Sequence, residues 1–171
     1  MLDLSELQKD VDLGKKTIVV PAGATEGDLP AIVSCIKGVH DITLDLSETK
    51  ITNIGTAFRQ CQALKAIILP EGLVSIGRDA FWMCKSLIQV TIPNSVKSIG
   101  HEAFWGCKAL KGTIPDSIKS IGNLAFKGCV GLADEDGFVI VGNSLFDYTR
   151  KDAINVTIPE CVTSIGHEAF S

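Results

Sequence analysis

The chain has 171 residues, 46% hydrophobic and 21% charged, which suits one folded domain and excludes an intrinsically disordered polypeptide. A formal charge of −4 argues against a surface for nucleic acid or anionic lipid, and no stretch approaches the ~20 apolar residues of a membrane-spanning helix. Aromatic residues make up only 6%, yet seven of them are Phe, so Phe is expected to fill one recurring slot.

Residues 1–16 come first in chain order. "LSELQKDVDLG" offers Ser5 and Gln8 as a capping box, with Leu4, Leu7 and Val11 on one face. This predicts a helix that covers the open N-terminal end of the layers that follow. The same stretch lacks the basic segment and apolar run of a secretory leader, so the chain as written reads as cytoplasmic unless a leader has been removed.

Residues 17–132 read as five repeats. Counting from Pro21, Ser47, Pro70, Pro93 and Pro115, eleven positions on stand Ile32, Phe58, Phe81, Phe104 and Phe126, and fourteen positions on stand Cys35, Cys61, Cys84, Cys107 and Cys129. A fixed period in the twenties signals a solenoid, in the length range of leucine-rich repeats, because no single coil can bury its apolar face alone. Each coil is expected to open with a short strand, as in "QVTIP" (89–93), where Val90 and Ile92 point inward and Gln89, Thr91 and Pro93 outward. The Gly of "SIG" (Gly77, Gly100, Gly122, Gly166) permits a tight bend that a Cβ would forbid. "HEAFWGC" predicts a helical turn that lays Ala103, Phe104 and Cys107 on the core, so Phe58, Phe81, Phe104 and Phe126 form a spine. The first coil is degenerate: Asp28 reads as an N-cap, Pro30 as lying just inside a helix, and Gly38 as its stop.

Residues 133–154, "ADEDGFVIVGNSLFDYTRKDAI", take the place of one coil without its repeat slots, and read as a β-hairpin turning at Gly142-Asn143. Residues 155–171 form a last, incomplete repeat. A hairpin cannot extend a parallel ladder as a coil does, so the sheet is expected to break between Thr113–Ile114 and Val156–Ile158. Gly112 stands where its neighbours have Ile67 or Val90, which adds an underfilled core. A pocket is therefore expected there, with Gly112, Phe138, Val139, Phe146 and Tyr148 as its candidate residues.

Two further surfaces are candidates. The concave sheet face presents Val19, Asp45, Ile68, Thr91, Thr113 and Thr157 along its centre line, either as a solvated face or as a binding face. On the convex side, the positions after the Phe residues read Arg59, Trp82, Trp105 and Lys127. These form either a self-stabilising cation–π ladder or, with Met83, a partner patch.

The in-register copies, such as "VTIPNSVKSIGHEAFWGCKAL" (90–110), resemble the bacterial BspA-type leucine-rich repeat, also seen in treponemal leucine-rich repeat proteins. The resemblance covers residues 42–132 and 155–171, and residues 17–40 loosely. It implies an exported or cell-surface protein that binds macromolecules, often host proteins, and no catalytic residues. The fold class is then an α/β solenoid with about six short parallel strands, a capping helix and one irregular hairpin repeat.

No catalytic or metal motif competes with this reading. "HEAFW" (101–105) and "HEAFS" (167–171) begin like the zincin H-E-x-x-H, but Trp105 and Ser171 stand where the second His must be. The cysteines lack the paired spacing of a zinc site and read as small buried hydrophobes, with Cys161 out of register and oxidisable. No enzyme activity and no cofactor are expected. The reading is a non-catalytic protein-binding module, a monomer or weak homo-oligomer, with a protein partner and no nucleic acid or membrane insertion. The alternative is an assembly component that self-associates through its C-terminal end, where Phe170 lies on the last core layer.

Overall fold

A computed structural model describes residues 3–150 and 152–171, so Met1 and Leu2 of the cap and Lys151 of the hairpin repeat lie outside it. Helix α1 (Ser5–Asp12) buries Leu7 and Val11. Its start differs from the expected capping box: Ser5 N–H donates to Asp3 Oδ1 at 2.9 Å, and the Gln8 amide reaches forward to Asp12 at 2.8 Å. Asp3 is thus the side chain that satisfies an orphan donor of the first turn. Strand β1 (Thr17–Val19) opens the first coil, and helix α2 (Leu29–Cys35) follows with Pro30 in its first turn, as expected; Asp28 holds the N-cap position, but its carboxylate turns back to accept Thr25 N–H and Oγ1–H at 3.0 Å each. Glu26 ties this coil to the next, accepting Thr52 N–H and Oγ at 2.7 Å each and Asn53 N–H at 3.2 Å.

The next strands are β2 (Ile42–Asp45) and β3 (Leu64–Ile68), the latter followed by β4 (Ser75–Ile76) in the same coil. The fourth coil has β5 (Gln89–Thr91) and β6 (Ser98–Ile99), and the fifth has only β7 (Ser120–Ile121). Two parallel ladders result, β1-β2-β3-β5 and β4-β6-β7. The second was not foreseen as a sheet, although its strands are the Ser-Ile of the first three "SIG" copies. Its glycines are required by close approach of successive backbones: a Cβ on Gly100 would stand 2.6 Å from Arg78 N, and one on Gly122 would stand 2.4 Å from His101 N.

The turn segments are not helical. Each uses left-handed residues, as at Glu102 (φ 54°) and Gly106 (φ 72°) in one coil and Asp79 (φ 56°) and Met83 (φ 58°) in the coil before. That conformation frees the backbone to bond between coils. Phe81 N–H donates to Ala103 O at 2.7 Å, Phe104 to Ala125 at 2.9 Å, Met83 to Trp105 at 2.7 Å and Gly106 to Lys127 at 2.8 Å.

The spine forms as the repeat demands. Rings of Phe58, Phe81, Phe104 and Phe126 stack with centroids 5.5, 5.2 and 5.4 Å apart, planes within 10°, and all four fully buried. Beside it, each deep thiol donates to the Phe carbonyl of the preceding coil: Cys84 to Phe58 (2.8 Å), Cys107 to Phe81 (3.0 Å) and Cys129 to Phe104 (3.0 Å). Cys35 and Cys61 are only half-buried, so the column of thiols is three deep rather than five.

The first sheet ends earlier than expected. Neither 113–115 nor 155–159 is a strand, so four strands pair and the break falls directly after β5. Gly112 (φ 101°) supplies no side chain to hold the fifth coil's strand on the core, and Thr113 stands exposed. Pro93, expected to face out, is buried, as is Pro70 in the coil before. Beyond the fifth coil, β8 (Phe138–Val141) and β9 (Ser144–Tyr148) form the antiparallel hairpin around Gly142. Strand β10 (Ser164–Ile165) then pairs in parallel with Ser144–Leu145. The hairpin therefore does extend a parallel ladder on one side, because Ser144-Leu145 stands in for the Ser-Ile of a coil.

Candidate functional site

Three surfaces follow from this architecture, beginning with the face of the first sheet. Val19 pairs with Asp45, Asp45 with Ile68 and Ile68 with Thr91, so these four residues form one continuous row. Val19 and Thr91 are exposed, Asp45 and Ile68 half-buried. Thr113 and Thr157 fall outside any strand, and the row is four residues long rather than six. Where it stops, a cleft of about 460 Å³ opens between Val90–Ile92 and Gly112–Thr113. A second hollow of about 210 Å³ continues from Gly112 and Ile114 to Ile140 and Val141 of the hairpin.

The sheet break and Gly112 thus lie together, as the sequence suggests, but the other pocket candidates do not line these hollows. Phe138, Val139, Phe146 and Tyr148 are all buried. Phe146 sits edge-on beneath Phe126 (5.5 Å, 76°) and closes the spine, while Phe138 and Tyr148 pack together at 4.9 Å. The hairpin spends its aromatic side chains on the core because the stack otherwise ends on an uncovered ring. Ile140 and Val141 are what it shows to the hollow.

On the turn side, Trp82 and Trp105 stack at 5.3 Å with planes 9° apart, and the Arg59 guanidinium lies 4.5 Å over Trp82. Both indoles are half-buried. The expected second cation is missing from the stack. Lys127 turns instead to Asp147 Oδ1 (3.4 Å), to the Glu168 carbonyl, and to Ser171 Oγ (2.7 Å). Asp147 is buried, and its second oxygen accepts Gly128 N–H at 2.8 Å. That bond replaces the carbonyl which a further coil would have offered, since Gly106 in the coil before donates to Lys127 O. Sequence reasoning gave Lys127 to the ladder and passed over Asp147; a lone carboxylate inside the apolar strand "SLFDY" was the available signal.

Between this clamp and Trp105 lies a recess of about 350 Å³, with Met83, Val130 and Tyr148 in its walls and Lys85 and Lys108 beside it. Of the site residues foreseen there, Met83 and Trp105 line the recess, whereas Trp82 is sandwiched between Arg59 and Trp105.

Chemistry-bearing groups elsewhere are engaged in structure. Burial pushes the thiols of Cys84, Cys107 and Cys129 well above the ordinary range, with a smaller push from neighbouring ionisable groups, so they are poor nucleophiles. Cys161 is exposed. Among the described residues, one trio with metal-ligating atoms lies together: Asp79, His101 and Glu102, within 4.8 Å of one another. Arg59 and Arg78 each stand 3.7 Å from the Asp79 carboxylate, which makes the trio part of an ion-pair network. No helix among the described residues is long and apolar enough to cross a membrane.

A family model described as "BspA type Leucine rich repeat region" matches residues 52–171 in six copies. Among solved structures, a leucine rich cell surface protein from Faecalibacterium prausnitzii is 25% identical with a TM-score of 0.56, over 76% of this chain and 45% of that one. The pneumococcal vaccine antigen PcpA is 27% identical with a TM-score of 0.52, over 76% of this chain and 37% of that one. A leucine-rich repeat protein from Eubacterium ventriosum, 23% identical with a TM-score of 0.51 over 67% and 30% of the two chains, shares the fold. This chain therefore spans less than half the length of each of these proteins. A search of curated proteins finds no match.

Proposed function

The chain belongs to the BspA-type leucine-rich repeat family, and from that premise we propose that it is a non-catalytic scaffold that binds a protein partner at a cell surface. The observation that carries this reading is the in-register row Val19–Asp45–Ile68–Thr91 ending at a cleft of about 460 Å³. A repeated sheet gives an extended, rigid, side-chain-programmable face. The cleft at Gly112 adds one position at which a partner's side chain is engaged in depth, with Thr113 on its rim. The surface assignment rests on the family and on the relative described as a cell surface protein. Adhesion to host proteins is the form of binding that the sequence resemblance suggests.

The test is capture of partners from a host-surface extract by the native chain and by two variants. I68E should abolish capture, because it places a charge at the middle of the row. W82A, outside the row, should leave it intact. Equal capture by I68E would overturn the sheet-face assignment.

A second reading, self-association, is favoured by one observation: the last coil exposes Ile158, Ile165 and Phe170, and β10 is paired only through β9 among the described residues. Light scattering at the highest attainable concentration decides it. A strictly monomeric protein would exclude assembly through this end.

A further inference from the structure

We propose that the recess between Trp105 and the hairpin is a second binding site, and that its ligand is a polypeptide segment carrying an aromatic side chain flanked by carboxylates. The site lies on the turn segments and the hairpin, and no strand of the first sheet contributes to it, so it is independent of the sheet-face reading.

The recess originates in the repeat itself. The second left-handed position of successive coils is occupied by Gln60, Met83, Gly106 and Gly128. The first two carry side chains and the last two do not. The Met83 thioether lies across Gly106, where a Cβ would come within 2.6 Å of its sulfur. Past it the column has no side chains, and Gly106 and Gly128 leave a bare backbone floor. Instead of a further coil, the far wall is Tyr148 of the hairpin.

The same step exposes an unfinished stack. Arg59, Trp82 and Trp105 are three rungs, and the fourth would be Lys127. Because Lys127 is drawn to Asp147 and the last coil, Trp105 stacks on Trp82 alone among the described residues. Its open face asks for a flat ring, which offset stacking favours over an aliphatic chain. The volume, about 350 Å³, lies at the low end of the roughly 300–1,000 Å³ of ligand sites and suits one side chain rather than a cofactor.

Charge selects the flanks. Lys85 and Lys108 occupy equal positions in adjacent coils, both are exposed, and neither has an ion-pair partner among the described residues. The one carboxylate in the lining, Asp147, is already held by Lys127 and Gly128 N–H. A local cationic rim on a chain of net charge −4 favours an anionic partner and repels a basic one. Two lysines one coil apart match carboxylates on either side of an inserted ring, which a chain continuing past the recess supplies.

The probe is a capped pentapeptide with Phe between two acidic pairs, titrated into the full chain while following the fluorescence of Trp82 and Trp105, the only tryptophans. The expected result is saturable binding with a dissociation constant of about 1 mM or tighter, weakened by added salt. K85E/K108E should weaken it at least about tenfold, as should V130E, which adds a carboxylate to an exposed wall residue. All three positions are exposed, so unchanged thermal melts will show that the fold is intact. Peptides with Ala for Phe, or Lys for the acids, should not bind. No saturation, or undiminished binding to K85E/K108E, would overturn the proposal. So would phenylacetate binding as tightly as the peptide, because the site would then belong to a small aromatic acid.

Discussion

From Leu64 to Leu110 each layer is closed by the next copy of itself, whereas beyond residue 132 layers are closed by side chains borrowed from elsewhere. In the first region Phe81 is covered by Phe104, Gly77 by Gly100, and the turn-segment N–H groups of Asp79, Phe81 and Met83 by the next coil's carbonyls. In the second, Phe126 is covered edge-on by Phe146, the donor of Gly128 by a carboxylate, and Phe170 is left half in solvent. A repeat is therefore a local solution that each copy passes on. Ending it takes residues with no counterpart in the repeat, and the surfaces of interest gather at that ending.

The sharpest way to break this contrast is through the spine. Phe104→Ala, in the middle of the stack, should lose about 3–5 kcal/mol in chemical denaturation. Phe170→Ala, 48% exposed, should lose less than about 1 kcal/mol. Comparable losses would mean that the two regions share one uniform core.

Lys127→Met comes next. It strands the buried Asp147 carboxylate and should cost about 3 kcal/mol, the low end for a broken buried pair because Lys127 reaches the surface. Hydrogen exchange should rise in 138–148 while coils two to four stay protected. Uniform exchange would show that the ending is not a separate cooperative unit.

Glycine substitutions give a smaller test. Gly100→Ala forces a methyl against the Gly77–Arg78 backbone and should cost about 2 kcal/mol, whereas Gly72→Ala, with nothing within 4 Å of its Cβ position, should fall within about 0.5 kcal/mol of the native chain. Thermal melts of the pair settle it.

Two probes sharpen the contrast without changing stability. Iodoacetamide should label exposed Cys161 at once and leave Cys84, Cys107 and Cys129 unmodified in the native state; mass spectrometry that finds Cys129 labelled well before Cys84 would reveal opening from the hairpin side. At the opposite end, Thr52 N–H and hydroxyl, and then Asn53 N–H, hold the Glu26 carboxyl down to about 2. The folded value lies below the unfolded one, so its contribution is complete above about pH 4.3 and fades as pH falls toward 2. An NMR titration of Glu26 with a midpoint near 4 would remove that tie between the first two coils.

The regular region was legible in the sequence because one interval fixes many positions at once. The period aligned Phe58, Phe81, Phe104 and Phe126 without reference to their neighbours. The ending was less legible for the opposite reason: Phe146, Lys127 and Asp147 each occur once, and their roles depend on contacts across the chain. Reading the hairpin as slotless hid that Ser144-Leu145-Phe146 imitates Ser-Ile and the spine ring in compressed form. It also set Val139 and Phe146 beside the sheet break, where the core covers them, because alternation along a strand does not tell which face the rest of the molecule covers. The expected helical turn failed because left-handed φ at Glu102 and Asp79 is not announced by residue type.

The turn-segment hydrogen bonds that cross between coils run in one sense, from N–H in one coil to C=O in its successor. The Ser-Ile-Gly side runs the other way, with Gly100 N–H donating to Ile76 O and Gly122 N–H to Ile99 O, so it is on the turn side that each new layer presents bare N–H donors. An acceptor side chain can satisfy such a donor without another layer, and Asp147 does so for Gly128. Shortening the protein at any other coil would therefore call for an acceptor side chain grafted opposite the bare amide, and apolar cover alone would leave that donor unsatisfied.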